Sequence, residues 1–324
     1  MSAATVSLSP THLLARARIA LGRRREIARL SRVHHANEKA LATAPGVLPV
    51  RINAPAGGLG AHFNMAVLVL TACHERGLRP KFRFTTPHYG RPDGSYDWLA
   101  ELYRQPTDLD VPPGAPEFVL TQWNDVPPSL RRARAWERAE LAAFLHAHFT
   151  LAPALSATLE DYHARFMGGE PTLGLHFRGS DKHTEADPVT PAAMLEAAAA
   201  LLETGSFDRV FFATDSLSFV SAIGSEFHGR PVASAPDVLR SGDLTGVHFM
   251  NHGNPVTKAR QALLDALLLG RCQHLLKTES SLSQWTTLLH PSLPVTQLNR
   301  RRTSPAWAAW FPVPMFAEGT PRGA

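Results

Sequence analysis

The sequence predicts a two-domain α/β protein in which parallel sheets are covered by helices. Three observations carry that prediction. Short apolar runs suited to buried strands alternate with longer stretches of helical periodicity, the pattern of strand–helix–strand units. The chain has 324 residues, more than a single core usually fills. A Gly168-Gly169 pair near the middle separates a helical stretch from the most regular of the alternating runs. On these grounds residues 1–45 read as a basic helical appendage, 46–168 as a first domain, 169–300 as a second and 301–324 as a tail.

The appendage carries Arg16, Arg18, Arg23, Arg24, Arg25, Arg29 and Arg32, interleaved with Leu, Ile and Ala at helical spacing. Such a segment suits a solvated helix or a peripheral contact with an anionic membrane surface, and the solvated helix is the favoured reading. Val47–Ile52 follows as a strand, then the turn Gly57-Gly58-Leu59-Gly60. Ala61 to Arg76 reads as a helix, with Phe63, Ala66, Val67, Leu70 and Cys73 on one face and Gly77 at its C-cap. Lys81 to Thr85 is the next strand, which completes a βαβ unit. Residues 86–128 are rich in Pro, Gly, Asp and Tyr and read as loops around one strand, Glu117 to Leu120. Helices are expected over 129–149 and 152–167.

The second half is more regular. Strands are expected at 171–177, 210–214, 274–278 and 295–298, and helices at 217–227, 259–270 and 281–290. Thr190-Pro191 opens a further helix, Thr as N-cap and Pro at the first helical position. The tail carries Trp307, Trp310, Phe311 and Phe316 among prolines and is expected to pack back onto a domain surface.

Composition narrows the class. A net charge of +5 is modest, and the basic residues are not interleaved with stacking aromatics, so a nucleic-acid partner is not expected. Cys73 and Cys272 are too few for a disulfide framework and lack zinc-ligand spacing. No apolar run has the length of a bilayer span and no secretory leader is visible, so a cytoplasmic protein is expected. Oligomeric state is not readable.

The sharpest chemical feature is His176-Phe177-Arg178-Gly179-Ser180-Asp181-Lys182, directly after a strand. In open parallel sheets ligands bind at the carboxyl ends of strands. An arginine there can grip a diphosphate through two parallel charge-assisted hydrogen bonds. The competing reading is a structural Arg–Asp salt bridge at a strand end. Two further strand ends agree with the functional reading. Ala213-Thr214-Asp215-Ser216 offers Asp215 to a base or ribose, and Lys277-Thr278-Glu279-Ser280-Ser281 offers two hydroxyls and a helix N-terminus to phosphate. Each is by itself an ordinary N-cap.

Other motifs point away from rival chemistries. Gly58-Leu59-Gly60 suggests a dinucleotide fingerprint, but Phe63 stands at the third glycine position, and Lys81 and Arg83 stand where the ribose-binding acid belongs. The turn instead suits close approach of the backbone to a ligand across a cleft. Asp108-Leu109-Asp110 lies among prolines with no buried strand before it and reads as a solvated loop rather than a metal site. His62, His88 and His252 read as neutral surface or cleft histidines, and no helix carries a His-x-x-x-His pair. No metal and no cofactor are expected. Tyr89, Tyr96, Trp98, Tyr103 and Trp123 are available to stack on sugar rings, although core packing is the commoner use of such residues.

With these residues in view, the second half resembles the superfamily of GDP-fucose-dependent fucosyltransferases, which includes the core α1,6-fucosyltransferases, the rhizobial nodulation fucosyltransferase and the protein O-fucosyltransferases. The carriers are His176-x-Arg178 with Asp181-Lys182 and Thr184-Glu185, then Ala213-Thr214-Asp215, then Ser280-Ser281 before a helix, in that order. Gly58-Leu59-Gly60 with Asn64 matches in the first half. The resemblance spans roughly residues 50 to 298, with strong motifs only in 172–298. The gap between Lys182 and the Thr-Glu pair is one residue shorter than in the α1,6 enzymes.

The resemblance implies two Rossmann-like domains facing a cleft (GT-B-like), inversion at the sugar carbon and no metal. The long coiled coil and disulfide-bearing extras of the animal enzymes are missing, so a bacterial-type relative is implied. GDP-fucose is then the donor substrate and a glycan the acceptor. Arg178 would neutralise the leaving diphosphate, helped by Ser280 and Ser281. His176, Thr214 and Asp215 would hold the nucleoside side of the donor, with Gly58, Gly60 and Asn64 across the cleft. Glu185 is the candidate base, with Asp181 and Lys182 orienting or tuning it. Two alternatives stand: a same-fold transferase using another nucleotide sugar, and a non-catalytic protein that binds a nucleotide or glycan.

Overall fold

The computed structural model describes residues 10–131, 134–179, 185–224, 226–227, 229–242, 245–250, 254–302 and 305–314, with side chains from Arg18 onward. In chain order the elements are α1 (Pro10–Thr43), β1 (Val47–Ile52), α2 (Leu59–His74), β2 (Arg79–Phe84), β3 (Tyr103–Arg104), β4 (Phe118–Leu120), α3 (Arg138–His148), β5 (Thr150–Leu151), α4 (Pro153–Phe166) and β6 (Thr172–Phe177). Then come α5 (Pro191–Leu202), β7 (Arg209–Thr214), α6 (Leu217–Ile223), β8 (Val232–Ala233), α7 (Pro255–Leu269), β9 (His274–Lys277), α8 (Ser281–Leu289) and β10 (Val295–Gln297).

Two parallel sheets flanked by helices organise the chain. The first has the order β2-β1-β4 and the second β10-β9-β6-β7-β8. β2 alternates exposed and buried residues, as a strand with one covered face should, whereas β6 is buried along its whole length. Thr190 caps α5 as its sequence predicts, its hydroxyl accepting from the Ala193 N–H at 3.1 Å.

The two sheets share one core. One large apolar cluster runs from β1 and α2 through α7 and α8. Phe63 of α2 stacks on Trp285 of α8, ring centroids 4.5 Å apart and planes 10° apart, a contact worth about 0.5–1.5 kcal/mol beyond area burial. α2 is buried on nearly every side, and such a helix belongs in the middle of a molecule. A smaller cluster, including Leu173, Leu175, Phe212 and Phe219, packs α5 and α6 onto the five-stranded sheet.

Three features were not legible in the local sequence pattern. The helix expected over 129–149 begins at Arg138. Tertiary partners hold the preceding segment out of helix: the Trp136 N–H donates to the Pro312 carbonyl at 2.9 Å, and Arg131 stacks over Trp310 at 4.2 Å. The N-terminal helix, read as an appendage, is tied to the first sheet where Asn37 bonds the backbone of Val119 and Asp125 at 2.9–3.1 Å and is buried. The short antiparallel pair β3–β5 is an addition that no periodicity announced. Among the described residues no helix is long and apolar enough to cross a membrane.

Candidate active site

Strand order places the site. From β6 the chain winds outward through β7 to β8, then crosses back to β9 on the other side of β6. The carboxyl ends of β6 and β9 therefore flank a switch point, where the connections on either side diverge and open a crevice. The first sheet has its own switch point between β1 and β4. A cavity of about 370 Å³ lies between the two, lined by Gly58, Gln122 and Trp123 on one side and by Arg178, Thr214 and Ser280 on the other.

Arg178 leaves the end of β6 with its backbone fixed, its N–H donating to Thr278 Oγ1 at 2.8 Å. Its guanidinium is 3.0 Å from Asp215 Oδ2, and the Gly179 N–H donates to Asp215 Oδ1 at 3.0 Å. A Cβ on Gly179 would come within 2.9 Å of Ser216 Cβ, so only glycine follows Arg178 here. The salt bridge of the competing reading forms, and the arginine lines the cavity. Asp215, assigned to the nucleoside in the sequence reading, is ion-paired with Arg178 and lines the same cavity. Thr214 braces the same corner, donating to the Phe177 carbonyl at 2.8 Å and accepting from the Ser216 N–H at 3.1 Å.

Ser280 caps α8 through its hydroxyl, which accepts from the Leu282 N–H at 3.2 Å. Ser280, Ser281 and Leu282 all line the cavity, so the electropositive end of α8 borders it. The glycine turn faces the same end. A Cβ on Gly60 would lie 2.5 Å from the Ser281 carbonyl oxygen and 2.6 Å from the Leu282 nitrogen. The backbone approached at Gly60 is that of α8, and Gly60 also borders the cavity. Gly58 borders the cavity opposite His248. Asn64 lies behind it, buried in the α2–α8 contact, where its Nδ2 donates to Gln284 at 3.3 Å.

His176 is buried, lines the cavity and has no hydrogen-bond partner at Nδ1. Burial, then Lys277 and Arg178, push its ring down to about 3, so it stays neutral. Asp265 of α7 was not singled out by sequence. It is buried at the cavity wall with Oδ1 unpartnered, and burial pushes its carboxyl up to about 7. Its signal was present, since an acid stands inside the apolar run Leu263-Leu264-Asp265-Ala266-Leu267.

Glu185 borders the cavity, its Oε2 2.6 Å from Arg301 Nη2. Arg301 was likewise missed, as an arginine at the edge of an expected tail. Asp181 and Lys182 lie outside the described residues, as do His252 and Phe316. Of the aromatic cluster, Tyr89, Trp98 and Tyr103 are buried in the core, although Tyr89 also reaches the cavity wall. Trp123 lines the cavity and stacks on Trp307, centroids 4.0 Å apart. His62 is buried behind the glycine turn, and the His88 ring meets the Pro55 carbonyl at 2.5 Å. Asp108 is held on the surface by a two-point contact with Arg79, at 2.6 and 2.8 Å. Among the described residues no group of three or more His, Cys, Asp or Glu is arranged to hold a metal ion.

No family model matches the chain, and no curated protein matches it in sequence. Solved structures do match. A mutant of Arabidopsis thaliana FUT1 in complex with GDP superposes with a TM-score of 0.51 at 9% identity, covering 84% of this chain and 78% of its own. The fucosyltransferase NodZ from Bradyrhizobium gives 0.49 at 14% identity, covering 81% of this chain and 100% of its own. NodZ α-1,6-fucosyltransferase soaked with GDP-fucose gives 0.48 at 14% identity with the same coverage. The chain shares the fold of the FUT1 structure.

Proposed function

We propose that this protein is an inverting, metal-independent glycosyltransferase that moves fucose from GDP-fucose to a hydroxyl of a glycan acceptor. The observation that carries the reading is the cavity between two facing switch points, with an aimed arginine and a helix N-terminus on one wall. Such a wall suits a diphosphate. The guanine and the fucose come from the ordered motif resemblance and from the shared fold.

In this reading the diphosphate of the donor lies against Arg178, Ser280 and Ser281. As the bond from the sugar carbon to the β-phosphate oxygen breaks, charge grows on that oxygen and Arg178 meets it. The acceptor oxygen forms the new bond from the opposite side, and its proton passes to Glu185. Asp215 aims Arg178, so its loss acts through the arginine. Base recognition moves to Asp265 and His176. Guanine offers two adjacent N–H donors on one edge, and a carboxylate can accept both; uracil offers one donor between two acceptors. A buried acid with an unpartnered oxygen is relieved by that contact. The stacked Trp123 and Trp307 on the cavity wall offer an aromatic surface that suits a sugar ring of the acceptor.

The test is nucleotide-dependent thermal stability. A ligand that binds only the folded state adds about 2.7 kcal/mol at a hundredfold excess over its dissociation constant. GDP is expected to raise Tm more than UDP, and Asp265→Asn is expected to shrink the difference by at least about 1.4 kcal/mol, a tenfold loss of preference. Release of GDP from GDP-fucose is expected to persist in EDTA. Equal stabilisation by UDP and GDP, or faster turnover of another GDP-sugar, would reduce the assignment to a nucleotide-sugar enzyme of other specificity.

A further inference from the structure

Asn64, outside the cavity, is one end of a chain of polar contacts that runs to Glu185. Its Nδ2 donates to Gln284 Oε1 at 3.3 Å, and Gln284 Nε2 donates to Glu279 Oε1 at 3.1 Å. Glu279 is 1% exposed and also accepts from Gln297 Nε2 at 3.1 Å. Arg301 comes next, with Nη1 3.6 Å from Glu279 Oε1 and Nη2 2.6 Å from Glu185 Oε2. Both amides in the chain point their N–H groups toward Glu279, so each neighbour fixes the orientation of the next.

We propose that Arg301 is the positioning residue for Glu185, anchored from the buried side by Glu279. The inference rests on the reading of Glu185 as the base. The backbone sets the first part of the position. Ala186 pairs with Arg301 in an antiparallel bridge, the Arg302 N–H donates to the Glu185 carbonyl at 3.0 Å, and the Asp187 N–H donates to the Arg300 carbonyl at 3.1 Å. The guanidinium sets the rest, because its planar fork spans two carboxylates in fixed directions. Stability is a poor reason for such a pair. Taking Glu279 and Arg301 out of water is costly, and apolar residues of like volume commonly serve the fold as well or better. The chain also crosses the molecule, from α2 of the first sheet's layer to the segment after β10. The carboxylate is therefore held relative to both walls of the cleft.

The experiment measures GDP release from GDP-fucose, with the GDP-induced rise in Tm recorded alongside. Arg301→Ala is expected to lower kcat by about tenfold to hundredfold, the scale on which small misplacements of a reacting group act, with KM for GDP-fucose and the GDP-induced Tm rise kept. Guanidinium at a non-denaturing concentration is expected to restore part of the loss. Arg301→Lys is expected to restore little, because one ammonium cannot span both carboxylates. Arg301→Gln serves as the second variant if Arg301→Ala does not fold. Glu185→Gln separates the two assignments. An inactive Glu185→Gln beside an Arg301→Ala at wild-type kcat would overturn the role of Arg301 alone. A fully active Glu185→Gln would overturn the base assignment, and Arg301 with it. A loss in Arg301→Ala that follows a smaller GDP-induced Tm rise would make Arg301 a donor-binding residue instead, and a fall in Tm without rescue by guanidinium would make it a purely structural one.

Discussion

The turn after β1 and the turn after β6 both leave the carboxyl end of a parallel strand at a switch point, and both reach the same cavity. One is built from glycines and the other from charge. The β1 turn gives up side chains so that α2 can press its first turn against the start of α8, and the space at Gly60 is filled by the backbone of Ser281 and Leu282. The β6 turn keeps its side chains and orients them: Thr278 fixes the backbone of Arg178, and Asp215 fixes its guanidinium. The first turn therefore sets the spacing of α2 against α8, and the second lines the cavity with oriented charge.

The comparison can be broken from either side. The largest expected effect is at the charged turn. Arg178→Ala is expected to lower turnover of GDP-fucose by about a hundredfold or more, the size seen when one stabilising donor is removed, in a chain that still folds but melts earlier because Asp215 loses its partner. Near-normal turnover would remove Arg178 from the chemistry. At the glycine turn the balance is expected to reverse. Gly60→Ala inserts a methyl group against backbone that cannot rotate away, and a loss of about 3 kcal/mol in stability is expected, the upper end for overpacked sites. A melting curve indistinguishable from the wild type would show that α2 and α8 are not in forced contact.

The smallest effect sharpens the comparison by pH. His62 backs the glycine turn, its Nδ1 at hydrogen-bond distance (3.0 Å) from the Gly58 carbonyl oxygen, and burial pushes its ring down to about 4 from an ordinary 6.5. Between those values the unfolded chain binds the proton more readily than the folded one. The stability due to neutral His62 is complete above pH 6.5 and is lost as pH falls toward 4, at about 1.4 kcal/mol per unit for one group. His62→Phe is expected to flatten that limb of the stability profile by one proton's slope. An unchanged slope would mean that His62 titrates alike in both states. Asp265, pushed up to about 7, works in the opposite direction and is present in both proteins, so the difference between them isolates His62.

Local pattern determined much of this molecule. The alternation of strand and helix, the N-caps at Thr190 and Ser280, and the polar strand ends at His176–Arg178, Thr214–Asp215 and Ser280–Ser281 all follow from residues near one another in sequence, because periodicity and capping are short-range physics. The glycine turn was legible as a close approach, but sequence does not say what approaches. Only the tertiary structure decided that α8 fills the space at Gly60, that Asp215 turns toward Arg178, and that Asp265 and Arg301 join the cavity. Each of those facts depends on strand order and on contacts across long separations, such as Arg301 with Glu185 or Asn64 with Gln284. A side chain's partner in such contacts is set by how sheets and helices stack into one core. Hydrophobic burial drives that stacking without direction, and no local spacing records where it places a distant residue.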